Sequence, residues 1–279
     1  MTITGRTKIF GIIGNPVSHS LSPLMHNAAF AELDVDAVYV PFQVEDVAAA
    51  VAGIKGLSIR GASVTIPHKE AIIPYLDEID PVAANIGAVN TLHLAERQGG
   101  TILCGSNTDW IGANRALQEK TGLEGKRIII LGAGGSARAL GFGFQEAGAE
   151  VVLCSRTESR GRALAAELNC GWQSLAEVGS LQGDILVNAT SVGMAPNVEE
   201  SLMPTPVLAG FEVVMDIVYA PLATRLLKDA AAVGCTTVNG LEMLLYQGVA
   251  QFELWTGKSA PVATMRRILL EATGNSESE

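Results

Sequence analysis

Apolar residues fall along this chain in short runs rich in Val, Ile and Leu, separated by longer stretches rich in Ala, Leu and Glu. Short apolar runs alternating with helical periodicity are the signature of βαβ units around a largely parallel sheet. In the first part of the chain the pattern predicts strands at 8–13, 38–42, 61–66 and 88–94, and helices at 23–33, 47–54 and 69–76. The Gly99-Gly100 pair predicts a hairpin turn into a strand at 101–104. A helix is expected from Asp109 to Thr121, with Gly122 as its C-terminal cap. A more regular second unit follows, with strands at 127–131, 150–154, 184–189, 213–217 and 236–238 and helices at 137–147 and 160–168. From Gly240 onward the pattern is helical, broken at 257–261, and ends in a polar tail, 274–279, that is expected to fray. A closing helical pair without a strand of its own must bury its apolar face elsewhere, and the first domain is the expected surface. The fold class is therefore α/β with two domains: 1–108, completed by 240–279, and 109–239.

Composition narrows the class. Of 279 residues, 48% are hydrophobic, 17% charged and 5% aromatic, which builds an aliphatic core and excludes disorder. A net charge of −10 with no basic face argues against a nucleic-acid partner. Runs such as 128–131 and 151–153 fall far short of the roughly 20 apolar residues that span a bilayer. The opening Met-Thr-Ile-Thr-Gly-Arg lacks a signal peptide's apolar stretch, so a cytoplasmic location is expected. The cysteines at 104, 154, 170 and 235 and the histidines at 19, 26, 68 and 93 show no ligand spacing; reduced thiols and no metal are expected.

The first chemical motif lies at the end of the 127–131 strand, which runs into Gly132-Ala133-Gly134-Gly135-Ser136-Ala137 and then a helix. Strand, glycine turn and helix are what a dinucleotide needs: Gly132 allows the turn, Gly134 lets amides approach the pyrophosphate, and the helix N-terminus attracts its charge. At the end of the next strand, an NAD site places a carboxylate for the ribose 2′-hydroxyl. This chain has Ser155-Arg156-Thr157 there, with Arg160 following. Hydroxyls and guanidiniums suit a 2′-phosphate, so the expected cofactor is NADP in a Rossmann-type domain.

Other polar stretches each have an ordinary structural explanation. Ser22-Pro23 suits an N-cap and first helical residue, while Ser18 and Ser20 have no such duty. Thr65 and Lys69 follow a strand end, where open α/β sheets bind ligands. Asp109 suits the start of its helix, with Asn107 or Thr108 as cap.

Taken together and in order, the blocks Asn15-Pro16-Val17-Ser18-His19-Ser20-Leu21-Ser22-Pro23, Val64-Thr65-Ile66-Pro67-His68-Lys69, Gly87-Ala88-Val89-Asn90-Thr91 and Asn107-Thr108-Asp109 resemble the shikimate dehydrogenase family. The resemblance continues through Gly132 to Gly135, Asn188-Ala189-Thr190-Ser191, Asp216-Ile217-Val218-Tyr219, Asn239-Gly240 and Gln247, covering nearly the whole chain. It implies an N-terminal substrate-binding domain and NADPH-dependent, reversible reduction of 3-dehydroshikimate to shikimate. Ser18 and Ser20 would take the substrate carboxylate, with Tyr219 nearby on the substrate side; Thr65, Asn90 and Gln247, with the catalytic Lys69 and Asp109, would hold the ring hydroxyls and reacting oxygen. Thr190, Ile217, Gly240 and Met243 would lie on the cofactor side. Ser63 and Ser155 stand where the family often has Asn.

In such a reaction hydride reaches the carbonyl carbon and charge builds on the oxygen, so a neighbouring acid must supply a proton. The resemblance gives Lys69 that role and Asp109 the task of holding and polarising it. The alternatives are an NAD-preferring quinate/shikimate dehydrogenase, which tends to carry an acidic residue where Ser155-Arg156-Thr157 stands, and a non-catalytic ligand-sensing homologue, which would have lost Lys69 or Asp109.

Overall fold

A computed structural model describes residues 2–274, so all but Gly274 of the expected polar tail lies outside the described residues. The chain divides into two compact units: Met1–Thr108 with Gln247–Glu279, and Asp109–Tyr246.

The first unit carries β1 (Lys8–Gly14), α1 (Ser22–Glu32), β2 (Ala37–Gln43), α2 (Val47–Gly56), β3 (Gly61–Val64), β4 (Glu78–Ile79), α3 (Pro81–Ile86), β5 (Thr91–Arg97) and β6 (Gly100–Ser106). Its strands form one sheet in the order β2-β1-β3-β5-β6-β4. β1 is parallel to β2 and β3, but β5 runs antiparallel to β3 and to β6, so the sheet is mixed. The predicted hairpin joins β5 and β6, with Gly99 and Gly100 at φ of 118° and 128°, where a side chain would be strained. One face of the sheet buries Ile13, Val64, Ile72, Leu92 and Leu103. An aromatic cluster of Phe10, His26, Phe30, Tyr39, Phe252 and Trp255 joins α1 to the closing helices.

The second unit contains α4 (Asp109–Gln118), β7 (Arg127–Leu131), α5 (Gly135–Glu146), β8 (Glu150–Ser155), α6 (Glu158–Glu167), β9 (Gly171–Ser174), β10 (Ile185–Asn188), α7 (Thr205–Leu208), β11 (Val213–Asp216), α8 (Arg225–Ala232) and β12 (Thr236–Val238). Its sheet is parallel throughout, in the order β12-β11-β10-β7-β8-β9. That is the doubly wound Rossmann order, and chain order reverses between β7 and β10, where such sheets bind ligands. Fully buried Ile128, Ile130, Leu140, Phe144 and Leu153 fill one face, and Ile129, Leu131, Leu186 and Val214 the other. The helix α9 (Gly240–Thr256) starts in this unit and ends in the first, followed by α10 (Val262–Ala272), which packs on α1.

Three local expectations are corrected. The helix expected at 69–76 is a series of turns ending in one 3₁₀ turn, Ile73–Tyr75. Pro74 lacks the amide an α-helix would use there, and it disfavours α geometry in the residue before it. α1 begins at Ser22 after Leu21, so Ser22 is not its cap; instead Ser20 Oγ accepts the Ser22 amide at 3.3 Å. α4 ends at Gln118, and the Lys120 amide closes a turn on Leu117, so Gly122 lies beyond the helix end. The elements β4, α3, β9 and α7 are too short to show apolar periodicity, whereas α8 is amphipathic, burying Leu226, Leu227 and Ala230, and was not expected; β9, Gly-Trp-Gln-Ser, is a polar edge strand.

Candidate active site

In the first unit, the hydroxyl-bearing loops follow strand ends. Val64 donates its amide to Asn90 O at 2.7 Å, Thr65 to Ile13 O at 2.9 Å, and Val89 to Lys69 O at 2.8 Å. These bonds bring Thr65, Lys69 and Asn90 to the carboxyl end of β3. His68, next to Lys69, is anchored by its ring nitrogen to Val44 O at 2.8 Å. Asn107 Nδ2 donates to Ala88 O and the Thr108 amide to Asn90 Oδ1, at 2.9 and 2.7 Å. Asp109 follows as the first residue of α4 and is buried. Ser18 is exposed and Ser20 half-buried on the loop after β1. Gln247 is buried on α9.

Ser63 is also buried: its hydroxyl accepts from Tyr39 Oη at 2.6 Å and donates to Gln251 Oε1 at 2.7 Å. Burial pushes the Tyr39 hydroxyl well up, against weaker pulls from Ser63 and Ser22. Tyr39 and Gln251 are polar residues the sequence reading passed over. A glutamine one helical turn after Gln247 was the available signal.

In the second unit, Gly132 leaves β7 at φ 123°, and a Cβ there would sit 3.2 Å from Ala189 O. Ala133, Gly135 and Ser136 complete the turn, and a Cβ on Gly134, the N-cap of α5, would meet open space. That leaves helix amides accessible to an anion, so the turn fits a pyrophosphate. Arg156 and Thr157, just after β8, and Arg160, in the first turn of α6, are exposed, and neither arginine has an ion-pair partner among the described residues, which suits a 2′-phosphate. Ser155 differs from expectation: it is buried, accepts from Trp172 Nε1 at 2.9 Å, and donates to Thr157 O at 3.2 Å. Its hydroxyl braces the strand end from beneath.

Two residues expected beside the cofactor have packing duties. A Cβ on Gly240 would run into the backbone of Ile217 and Val218, and Met243 is buried in the core. Thr190 Oγ1 donates to Asn188 Oδ1 at 2.7 Å. Asn188 Nδ2 donates to Asp216 Oδ1 at 2.9 Å, and Asp216 also accepts from Val218 N at 3.0 Å and Thr224 Oγ1 at 2.7 Å. This buried carboxylate, raised to about 6 by burial against the pull of those bonds, ties the ends of β10 and β11 and the loop bearing Ile217 and Tyr219. Burial likewise pushes the Tyr219 hydroxyl up. The four cysteines are free thiols, raised mainly by burial, Cys154 to about 11. Among the described residues no group of ligating side chains could hold a metal, and no helix is long and apolar enough to cross a membrane.

Residues 12–92 match the model for the shikimate dehydrogenase substrate binding domain, and 240–270 that for the shikimate 5'-dehydrogenase C-terminal domain. Residues 127–218 match a model described as NADP oxidoreductase coenzyme F420-dependent. A curated relative from Moorella thermoacetica, named shikimate dehydrogenase (NADP(+)), is 48% identical over 98% of this chain and 96% of its own. The chain belongs to the shikimate dehydrogenase family. Among solved members, a shikimate 5-dehydrogenase from Thermus thermophilus, in complex with NADP(H) and shikimate, is 36% identical with a TM-score of 0.87, covering 95% of this chain and 99% of that one. One from Listeria monocytogenes, in complex with shikimate and NAD, is 38% identical with a TM-score of 0.88, covering 96% and 98%. The two α/β units of this shikimate dehydrogenase family member therefore correspond to a substrate-binding domain and a Rossmann-like domain.

Proposed function

We propose that this chain reversibly reduces 3-dehydroshikimate to shikimate with NADPH. The observation that carries the reading is the junction at Asn90, where backbone bonds from Val64 and Thr108, and the adjoining Val89–Lys69 bond, gather polar residues at one strand end. Lys69 gives the reacting oxygen its proton in reduction and removes it in oxidation, and Asp109 holds and polarises that ammonium. Thr65, Asn90 and Gln247 orient the ring hydroxyls, and Ser18 and Ser20 receive the carboxylate, with Tyr219 nearby.

NADPH, when bound, supplies the hydride. Residues 132–136 would hold its pyrophosphate, Arg156, Thr157 and Arg160 its 2′-phosphate, and Thr190, Ile217, Gly240 and Met243 would border the rest, with Ser155 bracing the end of β8. The reading includes a cytoplasmic monomer or homodimer without a nucleic-acid partner.

The test is NADP reduction followed by nicotinamide absorbance with shikimate, run in parallel with NAD and with quinate. Rapid shikimate- and NADP-linked reduction is expected, lowered by roughly two to four decades in Lys69→Ala with shikimate binding little changed. Faster NAD-linked quinate oxidation would favour the quinate/shikimate reading; no turnover of any pair by the folded protein would favour the sensor.

A further inference from the structure

In the second unit, the last residue of β8 is tied by its side chain to the edge strand β9. The strands pair in parallel, Leu153 opposite Trp172 and Ser155 opposite Ser174. Alternate residues share a face of a strand, so Leu153, Ser155 and Trp172 lie on one face of the sheet. α6 packs on both strands. Trp172 Nε1 donates to Ser155 Oγ at 2.9 Å, and Ser155 Oγ donates to Thr157 O at 3.2 Å. The same carbonyl accepts from the Gly161 amide at 3.0 Å, closing the first turn of α6.

Both ends of this relay fix its direction. An indole N–H can only donate and a carbonyl can only accept, so the serine hydroxyl must accept from the one and donate to the other. The contact leaves no room for a side chain above it: a Cβ on Gly161 would run into Ser155 Oγ and Trp172 Nε1. Trp172 has a second neighbour, the Arg162 guanidinium, 4.3 Å from its ring centroid and paired through Nε with Glu158 at 2.8 Å. Glu158 is the one carboxylate within 155–162, and it is occupied there, whereas Arg156 and Arg160 have no ion-pair partner among the described residues. That exposed pair contributes little energy. The relay is the sheltered part, with Ser155 5% exposed. Arg156 stands between Ser155 and Thr157, and Arg160 follows in the helical turn that the Thr157 carbonyl closes. Holding Ser155 and that carbonyl therefore holds the backbone that carries both arginines.

We infer that Trp172 is a positioning residue for cofactor choice: through Ser155 it fixes the turn from which Arg156 and Arg160 meet the 2′-phosphate of NADP. The inference rests on the phosphate role proposed above for those two arginines. It also gives Ser155 a reason to be serine, as the hydroxyl that passes the indole's donation on to the backbone.

The test measures dissociation constants for NADP and for NAD by calorimetry, on the full chain. Trp172→Phe keeps an aromatic ring and removes the N–H, Ser155→Ala removes the hydroxyl, and the double variant removes both. Arg156→Ala/Arg160→Ala is the control for the phosphate role. Loss of one net hydrogen bond corresponds to roughly a threefold to tenfold change. Expected is a rise of about that size in the NADP constant with the NAD constant unchanged, in each single variant. The double variant should be no worse than the worse single, as one relay requires. If Trp172→Phe does not fold, Ser155→Ala tests the same link. Unchanged NADP binding in a folded single variant overturns the inference; the phosphate role survives that result if the arginine control still loses NADP selectively. A control that binds NADP as wild type does overturns the phosphate role and the inference with it. Equal weakening of NADP and NAD, or additive losses in the double variant, would mean a merely structural role and also overturn it.

Discussion

Arg156 and Arg160 are exposed cations without an ion-pair partner among the described residues of a chain of net charge −10, whereas neighbouring Arg162 pairs with Glu158 and lies over Trp172. Cations kept clear of carboxylates at a strand end are available to a phosphate. Arg156→Ala is expected to lower the NADP-over-NAD preference in kcat/KM by about tenfold or more, the range of one charge-assisted hydrogen bond; an unchanged ratio would remove Arg156 from cofactor choice. His26 sets a different dependence. Stacked 4.5 Å from Tyr39 and fully buried, it is lowered from 6.5 to about 3 by burial, against a weaker pull from Gln251. Below pH 6.5 the unfolded chain takes up a proton that folded His26 refuses, so stability falls as pH drops toward 3. Asp216, raised from 3.8 to about 6, works in the opposite sense: the folded form keeps a proton the unfolded chain has lost, so its contribution declines as pH rises through that window. Urea unfolding at pH 7 and pH 5 should therefore show a smaller acid loss in His26→Phe than in wild type, by about 2 kcal/mol; equal losses would count against the assignment. Lys69, Asp109 and both arginines lie in ordered motifs, so the roles proposed for them can be stated from the sequence. The duties of Ser63 and Ser155 were not, because a hydroxyl's neighbours come from distant strands and helices.

Elements were legible where burial imposed a period. β7, β8 and β10 are buried along almost their whole length and read directly as apolar runs. The stretch 69–76 misled because its apolar residues look helical while Pro74 removes the donor that a helix needs. α9 shows what an element's start can demand. A Cβ at Gly240 would come within 2.7 Å of Val218 C and closer still to Ile217, and backbone cannot swing aside as a side-chain tip does. Gly240→Ala should lower stability by about 1–3 kcal/mol, the usual cost of overpacking, and displace the loop after β11. A melting temperature within about 1 °C of wild type, less than the several degrees that such a cost produces in a domain, would show that α9 adjusts freely.

The first unit is assembled from two distant pieces of chain, Met1–Thr108 and Gln247–Glu279. The second piece brings fully buried Val249, Gln251, Phe252, Met265 and Leu269. Removing everything after Tyr246 takes those side chains from the first unit's core but none from the second's sheet. Amide exchange on the truncated chain should show lost protection in β1, β3 and β5 with retained protection in β7, β8 and β10; uniform loss would mean that the units do not hold separate cores. The alternation of apolar runs, the glycine turn after β7 and the ordered polar motifs were determined by the sequence alone, because each depends on residues close together along the chain. The antiparallel turn of β5 against β3, the edge strand β9, and the hydrogen-bonded chain from Tyr39 through Ser63 to Gln251 came only with the folded molecule. Those features join residues up to 188 positions apart, as Ser63 and Gln251 are, and no local pattern of polarity records which distant partner a buried hydrogen bond will find.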